Sequence, residues 1–561
     1  ITRREFLHSL TTDLASYRPG ETAEISVQMV CDRDPERYPT VTLLVDDREV
    51  ADRSSAEVEI DSLTGDYHVV RAELRIGDDL VDSLESAFCV WDESVLASGA
   101  KVAWENNYIT LDGKPSFLIG TNQTGMMYFS PKEGPAAWDR DFRAMHDHGF
   151  HIWRILHFSP FAAKGYEGSG QHTSLDLYNR PERFLRQMDA IVQIAQKHRV
   201  AIFLALHDWL GVTLTDEELE AQYDWCRFWA DRYKDVPGIF YDIQNEPSVA
   251  AEDRPDVVEL WNDFLATRYA SDEALRAAWT TSPPEAELPN VPLGATTNDW
   301  DDARAADRKR FETELLNRWT KANVDGTKAG DPDAVICVGY LPSMPPADKI
   351  LGVKNTDFSN MHYYGPVDRF PLEFKLIDRR FQGKGFSLGE FGAREAHDAR
   401  SHGHTSIPVD DSIHRFQTYI HYTAGLGAAF MANWDWKEFD EAIFPWGLFQ
   451  RSSYVSRPWM HTLEQGALLL SVAEPVYESP EVFIVAPDSH RVGPRFSELN
   501  GCLWRAIDLL LDQRVNFGMV NEEDIADLPD SAKALIWPVP YCPADETFDA
   551  IRSWVEAGGT L

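Results

Sequence analysis

The chain has 561 residues, with 91 Asp and Glu against 53 Lys and Arg and a formal charge of −38. At about 100–200 residues per domain this is roughly three domains, and a composition 43% apolar and 12% aromatic is globular. Such acidity excludes nucleic acid and anionic membrane surfaces as partners, since both need a basic footprint. No apolar run reaches the about 18 residues needed to span a bilayer. The start, Ile1-Thr-Arg-Arg-Glu-Phe6, carries neither Met nor a signal-peptide pattern. Processing or trimming is expected there, and a cytoplasmic location is slightly favoured. Six cysteines (Cys31, Cys89, Cys226, Cys337, Cys502 and Cys542) show no CxxC and no metal spacing. Neither a zinc site nor a disulfide framework is expected; whether Cys31 and Cys89 pair stays open at this level.

Residues 1–98 alternate apolar and polar positions in short runs, among them Ala23–Val30, Thr40–Val45 and Val69–Ile76. Turn signals such as Pro19-Gly20 and Gly77-Asp78-Asp79 separate them, a pattern that predicts an immunoglobulin-like β-sandwich. The small and polar stretch Trp91–Lys101 reads as a linker.

From 99 to 465 short hydrophobic runs alternate with helical periodicity. The predicted strands are Phe117–Gly120, His151–Ile155, Val200–Leu206, Ile239–Gln244, Ala334–Val338, Phe358–Met361, Gly385–Leu388 and Ala428–Ala432. Helices such as Pro181–His198 and Leu219–Tyr233 lie between them. Eight strand–helix repeats predict an α/β fold of the (β/α)8 TIM-barrel kind, with an insertion at about 250–331. Over 466–561 the alternation resumes on a smaller scale and predicts a doubly wound α/β domain. Gly558-Gly559-Thr560-Leu561 looks like the opening of another strand, so the natural chain is expected to run on.

In such a barrel the chemistry sits at the C-terminal ends of the strands. Strand four ends Asp242-Ile-Gln-Asn-Glu-Pro-Ser248, and strand seven ends Ser387-Leu-Gly-Glu-Phe-Gly392. Strands four and seven lie across the ring, so Glu246 and Glu390 face each other over the mouth. Two carboxylates about 5–5.5 Å apart suit a retaining glycosidase, one attacking the anomeric carbon while the other protonates the leaving oxygen. Alone, Asn-Glu-Pro is modest evidence because it also arises by chance, and Gly-Glu-Phe-Gly is weaker because it equally fits a solvated turn. Their joint placement carries the argument.

With these residues the chain resembles glycoside hydrolase clan A. The resemblance implies Glu246 as general acid/base, Glu390 as nucleophile, and Asn245 as the residue that bonds the sugar 2-hydroxyl. It implies that Arg154 binds the nucleophile, that His362 and Tyr364 line the site after strand six, and that the Tyr364 hydroxyl meets the nucleophile. Tyr363, on the opposite face, reads as packing, though a one-residue slip would exchange the two tyrosines. His207 is expected either to hold the sugar or to be a satisfied core histidine. Trp434, then Trp436, is the expected floor on which the sugar stacks. Asn122 holds a hydroxyl or merely shapes a turn.

The segments Trp261-Asn-Asp-Phe-Leu-Ala-Thr-Arg-Tyr269 and Asp272-Glu-Ala-Leu-Arg-Ala-Ala-Trp279 resemble those of family 42 β-galactosidases. That resemblance implies a C-terminal domain like a glutamine amidotransferase, and through it a homo-oligomer, trimer or dimer. Cys542 lacks the Gly-flanked turn of an amidotransferase nucleophile. The Asn-Glu-Pro ending resembles family 5 instead, an N-terminal sandwich is unusual for family 42, and that family's zinc-binding cysteines are absent. The sequence thus leads to a retaining exo-β-glycosidase for a terminal neutral sugar, needing no metal or cofactor. A β-galactoside is the first choice of substrate, a β-mannoside or β-glucoside the next. The alternatives are an endo-acting β-glycan hydrolase and a catalytically silent carbohydrate-binding protein.

Overall fold

The alternating runs of the first segment form two sheets. One joins Glu5–Thr12, Thr22–Cys31 and Ser55–Glu59; the other runs Ser16–Tyr17, Asp79–Val90, Tyr67–Ile76, Thr40–Val45 and Arg48–Ala51. Pairing is antiparallel except at Ser16–Tyr17. Every second residue points inward, so Ala23, Ile25 and Val27 meet Val41, Leu43, Val45, Val70, Ala72 and Leu74 in one core. Cys31 and Cys89 stand in different sheets, and both are free thiols. These details come from a computed structural model. It describes residues 5–31, 39–124, 133–156, 181–208, 215–247, 251, 253–294, 302–340, 352–392, 409–437, 447–450, 453–487, 496–540 and 543–561. Cys542 and Ser248 lie outside the described residues.

The eight central strands are β1 (Leu118–Thr124), β2 (Ile152–Leu156), β3 (Ala201–Asp208), β4 (Ile239–Asn245), β5 (Ile336–Tyr340), β6 (Phe358–His362), β7 (Gly385–Phe391) and β8 (Phe430–Asn433). All pairs are parallel and the ring closes in chain order, a TIM barrel. Such strands are covered on both faces, which is why they read as continuous apolar runs. Each reaches a little beyond its apolar run toward the C-terminal end, taking in Asn122, Asp208, Asn245 and Glu390. The ladder bonds are made by backbone, so polar side chains do not end a strand.

The opposite face of the barrel is closed by a small sheet of Val102–Glu105, Tyr108–Leu111 and Lys114–Pro115. Val102 and Ile109 join Leu118, Phe203, Phe240, Phe358 and Phe430 in one cluster, and Trp104 stacks on Phe358 at 4.9 Å. Within the predicted linker, Glu93–Leu96 forms a single helical turn.

Between β4 and β5 the helices Pro255–Arg268 and Asp272–Ala278 build a separate core of Trp261, Trp279 and Phe311. The long helix Ala303–Gly330 then lies against Asp216–Tyr233. Their approach needs glycine: a Cβ on Gly326 would sit 2.4 Å from the Tyr223 carbonyl oxygen.

In the last segment Phe517–Asn521, Val482–Ala486 and Ala534–Ile536 form a parallel sheet in that spatial order, and Thr560 bridges Ala534. The outer edge of Phe517–Asn521 is covered by the barrel. Lys375 Nζ donates to the Phe517 carbonyl at 2.7 Å, and Arg379 donates to the Met519 carbonyl at 2.8 Å and to Asn521 at 2.9 Å. Among the described residues no helix is long and apolar enough to cross a membrane.

Candidate active site

Arg154, near the end of β2, is fully buried and is the hub of the site. Its Nη1 donates to Glu390 Oε1 at 2.6 Å and to Asn122 Oδ1 at 3.1 Å. Its Nη2 donates to Asp242 Oδ2 at 2.6 Å and to Asn245 Oδ1 at 3.0 Å, and Nε donates to Asp242 at 3.1 Å. Burial alone would lower the arginine pKa, but the Asp242 and Glu390 carboxylates raise it above its usual value. A permanent positive charge therefore sits under the barrel mouth.

Glu390, on β7, receives Arg154 on one oxygen and the Tyr364 hydroxyl on the other at 3.0 Å. Burial, then Glu390 and Glu246, push the Tyr364 hydroxyl well above its normal pKa, so it remains a proton donor at working pH. Glu246 follows β4 with φ 52°, in the left-handed region that few non-glycine residues adopt. The β4–β5 ladder is irregular between Asp242 and Asn245, and the Glu246 N–H is held by the Gly339 carbonyl at 2.8 Å. His362 Nδ1 lies 2.9 Å from Glu246 Oε1 and 3.4 Å from Glu390 Oε1. One oxygen from each glutamate and one imidazole nitrogen all lie within 4.8 Å of one another. By composition the three side chains suit a divalent cation. Arg154, however, fixes a positive charge 2.6 Å from Glu390, where an ion would be repelled.

Glu246, Glu390, Asn245, Arg154, His362 and Tyr364 thus come together in one constellation. Trp434, 7% exposed, clusters with Leu156, Ala205 and Tyr364 beside it. Three candidates stand elsewhere. Asn122 is fully buried with both amide ends engaged: Oδ1 accepts from Arg154, while Nδ2 donates to the Gly389 and Asn433 carbonyls at 2.9 and 3.1 Å. It braces Arg154 and offers a sugar nothing. His207 turns to the surrounding helices, with Nε2 2.8 Å from Asn323 Oδ1 and near the Cys226 thiol, and burial lowers its pKa to about 4. Trp436 is fully buried between Phe150 and Phe449, so it is core and not a stacking surface. Tyr363 packs as expected, its hydroxyl on the Pro366 carbonyl.

Two residues escaped the sequence reading. Asp242 is fully buried under Arg154, and burial pushes its carboxyl up against the opposing pull of Arg154, His362 and the Gly339 N–H. Its signal was present: an acid inside an apolar strand, three residues before Asn245. Gly339 on β5 leaves room there, since a Cβ would lie 2.9 Å from His362 Nε2 and 3.0 Å from Asp242 Oδ2.

An eight-stranded barrel of this kind, with this pair of acids at its rim, is that of a clan A glycoside hydrolase. A family model described as Cellulase (glycosyl hydrolase family 5) matches residues 110–440, and the chain belongs to that family. Among solved structures it is similar to a polyextremophilic β-galactosidase from the Antarctic haloarchaeon Halorubrum lacusprofundi. The TM-score is 0.63 at 13% identity, covering 79% of this chain and 72% of that one. A cold-adapted β-galactosidase from Rahnella sp. R3 gives 0.63 at 16% identity, with 80% and 70% covered. A family 42 β-galactosidase from G. stearothermophilus gives 0.61 at 15%, with 82% and 72% covered. At these identities the likeness is one of fold. No curated protein matches the chain. The family 5 character of Asn-Glu-Pro and the family 42 character of the architecture therefore both have counterparts among known proteins.

Proposed function

We propose that the chain is a retaining exo-β-glycosidase that releases a terminal neutral sugar by double displacement. The observation that carries this reading is the short gap between the Glu246 and Glu390 carboxylates, one oxygen of each lying within 4.8 Å of the other. An inverting enzyme keeps its acids about 6.5–9.5 Å apart to admit a water between acid and sugar. Glu390 attacks C1 while Glu246 protonates the departing oxygen; Glu246 then takes a proton from the water that releases the sugar. Arg154 and Tyr364, one on each Glu390 oxygen, favour an ionised and aimed nucleophile. Asn245, its Oδ1 held by Arg154, directs its amide nitrogen to the sugar 2-hydroxyl, and Trp434 supplies the stacking face.

A β-galactoside is the first substrate to try, because the architecture is shared with proteins described as β-galactosidases; β-mannosides and β-glucosides come next. The insertion between β4 and β5 favours a walled pocket. We assign 1–98 to a buttressing sandwich, 99–465 to the catalytic barrel and 466–561 to a domain that mediates homo-oligomer formation.

The test is a panel of nitrophenyl β-glycosides with wild type and Glu390→Ala. The variant should lose turnover, and azide should restore a product of inverted configuration. Turnover that survives the substitution overturns the assignment. The cellulase-type family match favours one second reading, an endo-acting β-glycan hydrolase. Product sizes separate the two: monosaccharide from the chain end for the first, mixed oligosaccharides for the second.

A further inference from the structure

We propose that Asp242 is a positioning residue of this site: its carboxylate takes one edge of the Arg154 guanidinium, leaving Glu390 a single N–H bond. The proposal rests on the reading of Glu390 as nucleophile.

A guanidinium has five N–H bonds in a rigid fork, and all five of Arg154 are directed. Two go to Asp242 through Nε and Nη2, one to Glu390, one to Asn122 and one to Asn245. Left with one carboxylate, a buried arginine closes on it in a two-pronged pair, the strongest geometry it can make. Such a pair on Glu390 would engage both oxygens and neutralise the charge that has to attack carbon. With Asp242 on the Nε–Nη2 edge, only Nη1 remains for Glu390 Oε1, and Oε2 stays with the lighter Tyr364 hydroxyl. One cation is shared between two anions, so the nucleophile is steadied without being quenched.

Asp242 is fully buried, and its second oxygen accepts the Gly339 N–H at 2.9 Å. It therefore reaches no sugar and acts only through its neighbours. It has a second one. The point where a Gly339 Cβ would stand is 3.0 Å from Asp242 Oδ2 and 2.9 Å from His362 Nε2, and the opposite ring nitrogen meets Glu246. Asp242 thus borders the side chains that contact both rim glutamates, Arg154 on one side and His362 on the other. Glycine at 339 allows that junction.

The charged and titratable groups facing Glu390, among the described residues, are Arg154 from β2, His362 and Tyr364 from β6 and its end, and Glu246 from β4. Removing the Asp242 charge hands Arg154 undivided to Glu390. A carboxylate gripped by an undivided cation is the weaker attacker. For Asp242→Asn we expect kcat on a nitrophenyl β-glycoside to fall about 100-fold with KM changed less than about threefold. The acid limb of the kcat/KM profile should move to lower pH by about one unit. Asp242→Glu should return part of kcat and restore the limb. If Asp242→Asn does not fold, Gly339→Ala is the second probe: its methyl crowds both that carboxylate and His362 without changing charge, so it should lower kcat by at least about tenfold. Asp242→Glu, which leaves His362 untouched, separates the two effects.

An acid limb that superimposes on wild type, with losses that follow only the folded fraction measured by circular dichroism, overturns the proposal. Its failure is distinguishable from failure of the functional reading. If Glu390→Ala is inactive while Asp242→Asn keeps the wild-type profile, Glu390 stands and Asp242 is merely structural. If Glu390→Ala is active, the nucleophile itself is misassigned.

Discussion

Glu246 combines a left-handed backbone with a 19% exposed side chain, whereas Glu390 is 8% exposed and held at both oxygens. The more open glutamate is the one suited to exchange protons with leaving group and water. Glu246→Ala should therefore slow substrates with poor leaving groups about 100- to 10,000-fold and spare activated aryl glycosides; equal losses on both would count against the acid role. Tyr364→Phe removes one hydrogen bond to a charged group, about 1.5–3 kcal/mol, and should lower kcat about 10- to 100-fold. His207 predicts a pH effect on stability. Its folded pKa of about 4 is below the unfolded value of 6.5, so the unfolded chain binds more protons between these limits. Stability is then fully present above pH 6.5 and falls toward pH 4, by up to about 3 kcal/mol from this residue. The melting temperature of wild type should drop through that window, and that of His207→Gln should drop less. At this scale the sequence disclosed which residue types stand at strand ends but not where each side chain points. Asn122 has the right type, yet its amide is already consumed by Arg154 and backbone. His207, near the end of β3, turns to Asn323 on a surrounding helix, a direction that its place in the strand did not disclose.

The barrel strands were legible because each is an apolar run bounded by turns, and parallel strands are buried on both faces. The closing sheet at residues 102–115 was not, because its strands are short and its residues mixed. Its signal lay in the turns: Asn106-Asn107 and Asp112-Gly113 all take positive φ, the mark of two-residue hairpins. Helix contacts are likewise invisible in a single periodicity, yet Gly326 fixes one of them. Gly326→Val drives a branched side chain into the Tyr223 carbonyl and should destabilise the protein by about 1–3 kcal/mol, read as a lower urea midpoint with unchanged slope.

Across the whole molecule, the N-terminal sheets are fastened to the helix Pro181–Lys197 by ion pairs. Arg186 reaches Glu21 at 2.7 Å, while buried Asp189 accepts from Arg18 at 2.9 Å, from Arg232 at 2.8 Å and from the Tyr233 hydroxyl at 3.1 Å. Asp189→Ala takes the shared partner from two half-buried arginines at this seam and should remove about 1–3 kcal/mol, visible in calorimetry as a lower main transition or as a separate early one for the sandwich. The charge of −38 adds repulsion between all parts, so moderate salt should raise the melting temperature of wild type.

The cover over Phe517–Asn521 has a consequence of its own. Exposed strand margins invite foreign strands and seed fibrils. Here an ammonium and a guanidinium from the barrel occupy the outward carbonyls, so the catalytic domain serves as an intramolecular guard for the sheet behind it. Loss of Lys375 or Arg379 would then surface first as clumping of the C-terminal sheet, before any loss at the barrel mouth.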